Sequence, residues 1–253
     1  MKNRYFIELS YNGANYHGWQ QQDNSITVQQ IINEALSKLL GEEINVIGAG
    51  RTDTGVHAKE FFAHFDFSKT LNELEIKQLG FKLNRFLPFD IAINSVIAVK
   101  ENAHARFDAT SRTYQYFVSK IKTPFNKDFS YYVYGKLDID KMNEAAKTLF
   151  EYDDFSSFSK SGTQVKTNIC KIYHAKWEKN DEGLLVFTIK ADRFLRNMVR
   201  AIVGTLLDVG KDKLNINDFR KIIENKNRSD AGFSVPAHAL FLAKIEYPED
   251  IFV

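Results

Sequence analysis

Apolar and polar residues alternate from Arg4 to Tyr11, with Tyr5, Ile7, Leu9 and Tyr11 on one face. That period predicts a half-buried strand. Asn12 to Ser25 is polar, with Tyr16, His17, Gly18 and Trp19 set into it, and predicts a loop. Thr27 stands where a helix N-cap belongs. Val28, Ile31, Ile32, Ala35, Leu36, Leu39 and Leu40 then recur at helical spacing, and Gly41 closes the helix. Ile44–Ala49 and Ala58–Phe67 predict strands joined by a tight loop. Leu71–Phe86 predicts a second amphipathic helix ended by Leu87-Pro88, and Ile91–Val99 a further strand. The order strand, helix, strand, strand, helix, strand is a split βαβ pattern with helices on one face of a sheet.

A second series follows. Thr113–Ser119 and Tyr131–Tyr134 predict strands, and Asp138 caps a helix running to Phe150. Lys171–Trp177 and Leu184–Lys190 predict paired strands around a turn with Asn180, Asp181 and Gly183. Phe194–Val209 and Asn217–Asn225 predict helices, and Leu240–Tyr247 a last strand. The element order echoes the first half without a sequence repeat. The expectation is an α+β chain of two subdomains, 1–105 and 106–253, with no Gly/Ser linker between them.

Composition narrows the class. At 253 residues, 44% hydrophobic and 26% charged, the chain is neither disordered nor low-complexity. A single cysteine, Cys170, excludes an internal disulfide and a Cys-rich zinc site. No apolar run approaches the ~20 residues of a membrane span, and MKNRYFIELSYNG does not read as a signal peptide. A cytoplasmic protein without membrane partners is expected. The net charge of +2 is uneven: residues 1–105 carry 10 basic and 12 acidic side chains, residues 106–253 carry 24 and 20. Phe155 to Trp177 holds Lys160, Lys166, Lys171 and Lys176 and no acid, a run able to follow phosphates or simply to face solvent.

The candidate chemistry centres on Gly48-Ala-Gly-Arg51-Thr52-Asp53-Thr54-Gly55-Val56-His57-Ala58, which sets an arginine, an aspartate and a histidine between two predicted strands. Asp53-Thr54-Gly55 spells the aspartic-protease tripeptide. That chemistry needs two carboxylates about 3 Å apart sharing a proton, and only one such tripeptide is present. A nearby guanidinium favours the ionised carboxylate, which suits a nucleophile better than a general acid. The same pairing also serves as plain structural glue.

Three further segments add to it. His104-Ala-Arg106-Phe-Asp-Ala-Thr-Ser-Arg112-Thr-Tyr114-Gln-Tyr116 mixes basic and aromatic residues, a combination that stacks on bases and holds phosphates, or forms an ordinary sheet face. Arg196 and Arg200 fall at i, i+4 on the helix predicted over 194–209, with Arg193 just before it. Arg200 sits among apolar neighbours, where a buried guanidinium requires an acidic partner. Ser234–Leu242 leads into the last strand, and Leu240 or Phe241 is placed to wall a pocket or fill a core. The six histidines are scattered without ligand spacing, so no metal is expected. No His-x-Glu with Pro-Cys-x-x-Cys, no P-loop and no Gly-x-Gly-x-x-Gly after a strand occurs, so zinc deaminase chemistry and nucleotide cofactors are not expected.

Taken together these motifs resemble the family of tRNA pseudouridine synthase A. GAGRTDTGVHA is similar to that family's GxGRTDxGVHA loop. Its companions follow in order: Tyr11–Gln20, Leu83–Pro88 with Asp90-Ile91, Ala105-Arg106-Phe107, Arg112-Thr-Tyr114, Phe194–Arg200 and Val235–His238. The likeness spans residues 4 to 248. It implies the pseudouridine synthase fold: two ferredoxin-like split-βαβ subdomains with mainly antiparallel sheets and a central cleft. It implies a homodimer acting on the anticodon stem-loop of tRNA, without cofactor or metal. Asp53 would be the nucleophile, Tyr114 would stack on the target uracil, Arg51 would fill the space left by the flipped nucleotide, and Arg200 would pair with Asp53. Thr54 stands where alanine is usual and Ala239 where glycine is common; both are small and outside these roles. Two alternatives stay open on the residues alone: a non-catalytic RNA-binding module, and the same chemistry on another RNA.

Overall fold

The computed structural model describes residues 3–160 and 167–253. The chain forms two compact units, Met1–Thr110 with Leu242–Val253, and Ser111–Phe241.

In the first unit, β1 (Asn3–Tyr11) pairs antiparallel with β3 (His57–Phe67) and with β4 (Ile91–Ala98). The short β2 (Ile47–Gly48) pairs with β3, and β9 (Leu240–Glu246) flanks β3 on its other side. Helix α1 (Val28–Leu40) begins where the Thr27 side chain accepts the Gln30 N–H, and ends at left-handed Gly41. Helix α2 (Glu73–Phe86) starts two residues later than its apolar period suggests. Asn72 and Glu75 close a capping box there, which fixes the first turn.

The segment Ile44–Ala49 is less of a strand than its composition predicts, with only Ile47 and Gly48 in the ladder. The Ile44 N–H goes to Ser37 Oγ (2.8 Å), the Val46 N–H to Asn33 Oδ1 (2.8 Å), and the Val46 carbonyl accepts from Gln29 Nε2 (2.8 Å). Polar side chains of α1 take the place of a neighbouring strand, so the backbone groups of buried Ile44 and Val46 are satisfied without one.

One face of β1 is buried from Tyr5 to Tyr11, and the other is buried at Phe6 and half-buried at Arg4, Glu8 and Ser10. Tyr5, Ile7, Leu9 and Tyr11 face one side as the alternation predicts. Phe6, on the other, meets Tyr247 (5.4 Å between ring centroids) and Phe252 (6.3 Å) of the C-terminal tail. The tail is held by Lys100 N–H to the Ile251 carbonyl (3.0 Å) and by the Tyr247 hydroxyl to the Ala105 carbonyl (2.6 Å).

His64 of β3 is buried, and its Nδ1 accepts the Ala105 N–H at 3.1 Å. Burial, then the charges of Arg4 and His104, hold its pKa down at about 4. An unfolded chain takes up this proton near pH ~6.5, the native one only near 4. Stability from this group is therefore complete above the higher value and drains away as pH falls towards the lower one. His64→Asn, which keeps an acceptor in place of Nδ1, is expected to flatten that part of the thermal midpoint's pH dependence. An undiminished slope would assign the effect to other groups.

In the second unit, β5 (Ser111–Ser119), β8 (Leu185–Ala191) and β7 (Ile172–Lys179) form an antiparallel sheet in that order, with β6 (Tyr131–Tyr132) parallel to β5. Helix α3 (Ile139–Lys147), capped by Asp138, packs on β7 and on α4 (Met198–Gly210). Its last predicted turn tightens into a 3-10 turn at Thr148–Glu151, where the Thr148 hydroxyl donates to the Ala145 carbonyl (2.8 Å). Helix α5 (Ile216–Glu224) carries its own capping box, Asn215 with Asp218.

Candidate active site

The loop Ala49–Val56 joins β2 to β3 and carries Arg51 and Asp53. It is pinned at its start by the Ala49 N–H on the Phe62 carbonyl (2.8 Å) and at its middle by a hydrogen bond between the buried Thr52 and Tyr11 hydroxyls (2.9 Å). The Val56 N–H closes a turn on the Asp53 carbonyl (3.1 Å), and Gly55 supplies the left-handed residue that turn needs, φ 78°. Asp53 is half-buried within it and Arg51 is exposed.

A second loop, Asn12–Trp19, braces the first. The Gly13 N–H donates to Nδ1 of buried His57 (3.0 Å), which puts the proton of the neutral ring on Nε2. The Tyr16 carbonyl accepts the Gly55 N–H (3.3 Å). Asp90 holds this second loop in turn. It takes hydrogen bonds from the Tyr16 hydroxyl (2.5 Å) and Asn15 Nδ2 (3.0 Å), and its carbonyl accepts the Asn12 N–H (2.9 Å). Burial, then the Asp90 carboxylate, push the Tyr16 phenol up, so it stays a donor. Behind the loop the Trp19 ring stacks on Phe61 at 4.1 Å. Its Nε1 lies so near Gly48 that a Cβ there would meet it at 2.3 Å, so this close approach requires glycine.

The bracing set, Tyr11, Gly13, Tyr16, Trp19 and Asp90, was not assigned from residue pattern. Its one signal was large aromatics in an otherwise polar loop: Tyr16 and Trp19 are 5% and 1% exposed, which a solvated loop would not explain.

The other two expected residues lie in the second unit. Tyr114, half-buried on β5, meets Phe194 edge-on at 5.1 Å and is opposite Ile189. Arg200 is half-buried in the first turn of α4, and its Nε donates to the Val235 carbonyl (2.7 Å) while the Val235 N–H returns to the Arg200 carbonyl (3.2 Å). The helix predicted from Phe194 begins only at Met198, because Asn197 is left-handed (φ 67°) and its Nδ2 is tied to Ser234 Oγ (2.5 Å). Arg196 therefore precedes the helix, and the shared face expected for Arg196 and Arg200 does not form.

Of the basic run, Lys160, Lys171 and Lys176 are exposed; Lys166 lies outside the described residues. Phe241 packs edge-on against Phe117 (5.2 Å) and Leu240 is buried. Cys170 is buried and its thiol is pushed up to about 12 by that burial, which makes it a poor nucleophile. Among the described residues, no helix is long and apolar enough to cross a membrane, and no three His, Cys, Asp or Glu side chains gather as a cation site.

These features define a class, an α+β protein that presents one carboxylate from a braced strand-to-strand loop. Comparison with known proteins narrows it. A family model described as tRNA pseudouridine synthase matches residues 9–108 and 145–248, and the chain belongs to that family. A protein of Bacteroides fragilis named tRNA pseudouridine synthase A is 57% identical over 249 residues, covering 98% of each chain. One of the same name from Bacteroides thetaiotaomicron is 58% identical over 98% of this chain and 92% of its own. A more distant one, from Clostridium acetobutylicum, is 41% identical over 95% and 98%.

Proposed function

We propose that this chain isomerises uridine to pseudouridine in the anticodon stem-loop of tRNA, without a cofactor, as a cytoplasmic homodimer. The observation that carries the reading is the braced loop of Asp53, found in a chain that belongs to the tRNA pseudouridine synthase family. The relatives' shared name supports tRNA as the substrate.

The reaction conserves every atom. The bond from ribose C1′ to N1 breaks, the uracil turns, C5 bonds to C1′, and the C5 proton is lost while N1 gains one. A carboxylate serves this by attack at C1′, by attack at C6 of the base, or by taking a ribose proton. In this reading Asp53 is that carboxylate and Arg200 keeps it ionised. Tyr114 stacks on the uracil and takes part in proton transfer, and Arg51 fills the space of the flipped nucleotide. Flipping costs a few kcal/mol, offset by contacts to phosphates from basic residues, the run around Lys160 and Lys171 among them.

The test is pseudouridine mapping at each anticodon-arm uridine of an unmodified tRNA transcript incubated with the purified protein alone. Product is expected; tight tRNA binding without product would move the reading to an RNA-binding module. Tyr114→Phe keeps the stacking ring and is expected to lower the single-turnover rate by about 10²-fold while leaving tRNA affinity in place. A wild-type rate would remove the hydroxyl from the chemistry.

A further inference from the structure

In the first unit, a pocket that takes in Gly50 and Arg51 of the Asp53 loop is also lined by Gln20, Gln29, Ile47, Gly48 and Arg106. Its walls are set by a local network: Gln29 Oε1 accepts from Gln20 Nε2 and from the Gln21 N–H, both at 2.8 Å, and Gln29 Nε2 is tied to the Val46 carbonyl. Both glutamine side chains are thereby held in place. Two exposed guanidiniums, brought from positions 51 and 106, share this one depression. Like charges gathered around a concave polar surface call for an anion.

Gly50 points the same way. Gly48 is explained by Trp19 and Gly55 by its backbone angle, but Gly50 has neither reason. Its φ is ordinary, and a Cβ built on it meets nothing within 4 Å. The protein itself does not need glycine there. A glycine facing open space on a pocket wall lets a ligand approach the backbone closely. At the pocket, Arg106 lies over the ring of Phe107 (5.6 Å); Phe107 also meets the His104 ring at 4.3 Å and is still 73% exposed. An arginine beside an exposed aromatic suits a nucleic-acid strand, with the phosphate on the guanidinium and a base on the ring.

We propose that this pocket is a phosphodiester subsite, in which Arg106 grips one backbone phosphate of the RNA and Gly50 leaves room for it, while the positive charge of Arg51 on the pocket wall adds to the attraction. The proposal rests on the RNA-modifying reading above and names a contact within it. Arg106 acts here as a binding and positioning residue, holding the strand in register beside the Asp53 loop.

The test measures affinity for unmodified tRNA and for anticodon stem-loops that each carry one uncharged methylphosphonate linkage. Wild-type protein is expected to lose about tenfold in affinity at one linkage. Arg106→Ala is expected to lose a similar factor with unsubstituted RNA and to be indifferent to that linkage, and Arg106→Lys to lie between. Equal further losses in Arg106→Ala at every linkage would overturn the assignment. Gly50→Ala tests it without touching a charge. Its thermal midpoint is expected to match wild type while tRNA binding weakens several-fold; wild-type affinity would show the pocket is not occupied by RNA. Inorganic phosphate at matched ionic strength is the last arm. It is expected to compete no better than chloride, and specific displacement of tRNA would make the site one for free phosphate instead. Product mapping with wild-type protein runs alongside. Absent product with these affinity changes intact would fault the reaction but not the subsite.

Discussion

Asp53→Asn is expected to abolish pseudouridine formation, with a single-turnover rate at least about 10⁴-fold below wild type, while affinity for tRNA stays within a few-fold. The asparagine is isosteric and keeps one side-chain oxygen as an acceptor, and the loop retains its bonds through Thr52, Gly55, Val56 and His57. What it loses is the anionic oxygen, needed by each of the three routes open to a carboxylate. A variant that binds tRNA normally and still turns over would remove Asp53 from the chemistry. One that fails to bind would show that the side chain holds the RNA or the loop.

Trp19→Ala carries the largest expected loss of stability, about 3–5 kcal/mol by denaturant unfolding. The ring is 1% exposed, stacks on Phe61 at 4.1 Å and fills the space that Gly48 leaves open. Its removal opens a cavity beside Gly48, the residue that leads into the Asp53 loop, so the modification rate is expected to fall in the protein that remains folded. Trp19→Phe, which fills part of the space, is expected to recover about half of the lost stability. A fully stable Trp19→Ala variant would mean that the loop is held by its hydrogen bonds alone.

Much of the local structure was legible in the chain. The alternation over Arg4–Tyr11 and the heptad-like recurrence over Val28–Leu40 appear where their periods place them, because burying one face of a strand or helix imposes that period. Helix starts were legible where a capping side chain is local, as at Thr27 and Asp138. The start of α2 was placed two residues early, because the apolar residue Leu71 precedes the local cap at Asn72, and that of α4 was misplaced because a backbone angle and a distant partner decide it. Asn197 delays α4 by its left-handed conformation and its tie to Ser234, 37 residues on. Ile44–Val46 has the composition of a strand, yet its hydrogen bonds end on side chains of the preceding helix.

For the site, the sequence by itself determined the chemical groups: an arginine, an aspartate and a histidine among glycines in one short loop, with basic and aromatic residues clustered elsewhere. Those are covalent facts, and so is the tightness that glycine permits at Gly55. Tertiary structure alone decided how that loop is held. The Tyr11–Thr52 bond spans 41 residues, Gly13–His57 spans 44 and Tyr16–Asp90 spans 74. No local period encodes such pairs, since they form only when separate strands and loops are folded together and buried polar groups must find partners. The same holds for Gly48 and Gly50, alike in sequence and different in cause. One is fixed by an indole that folding brings against it; the other faces a pocket that exists only in the folded chain.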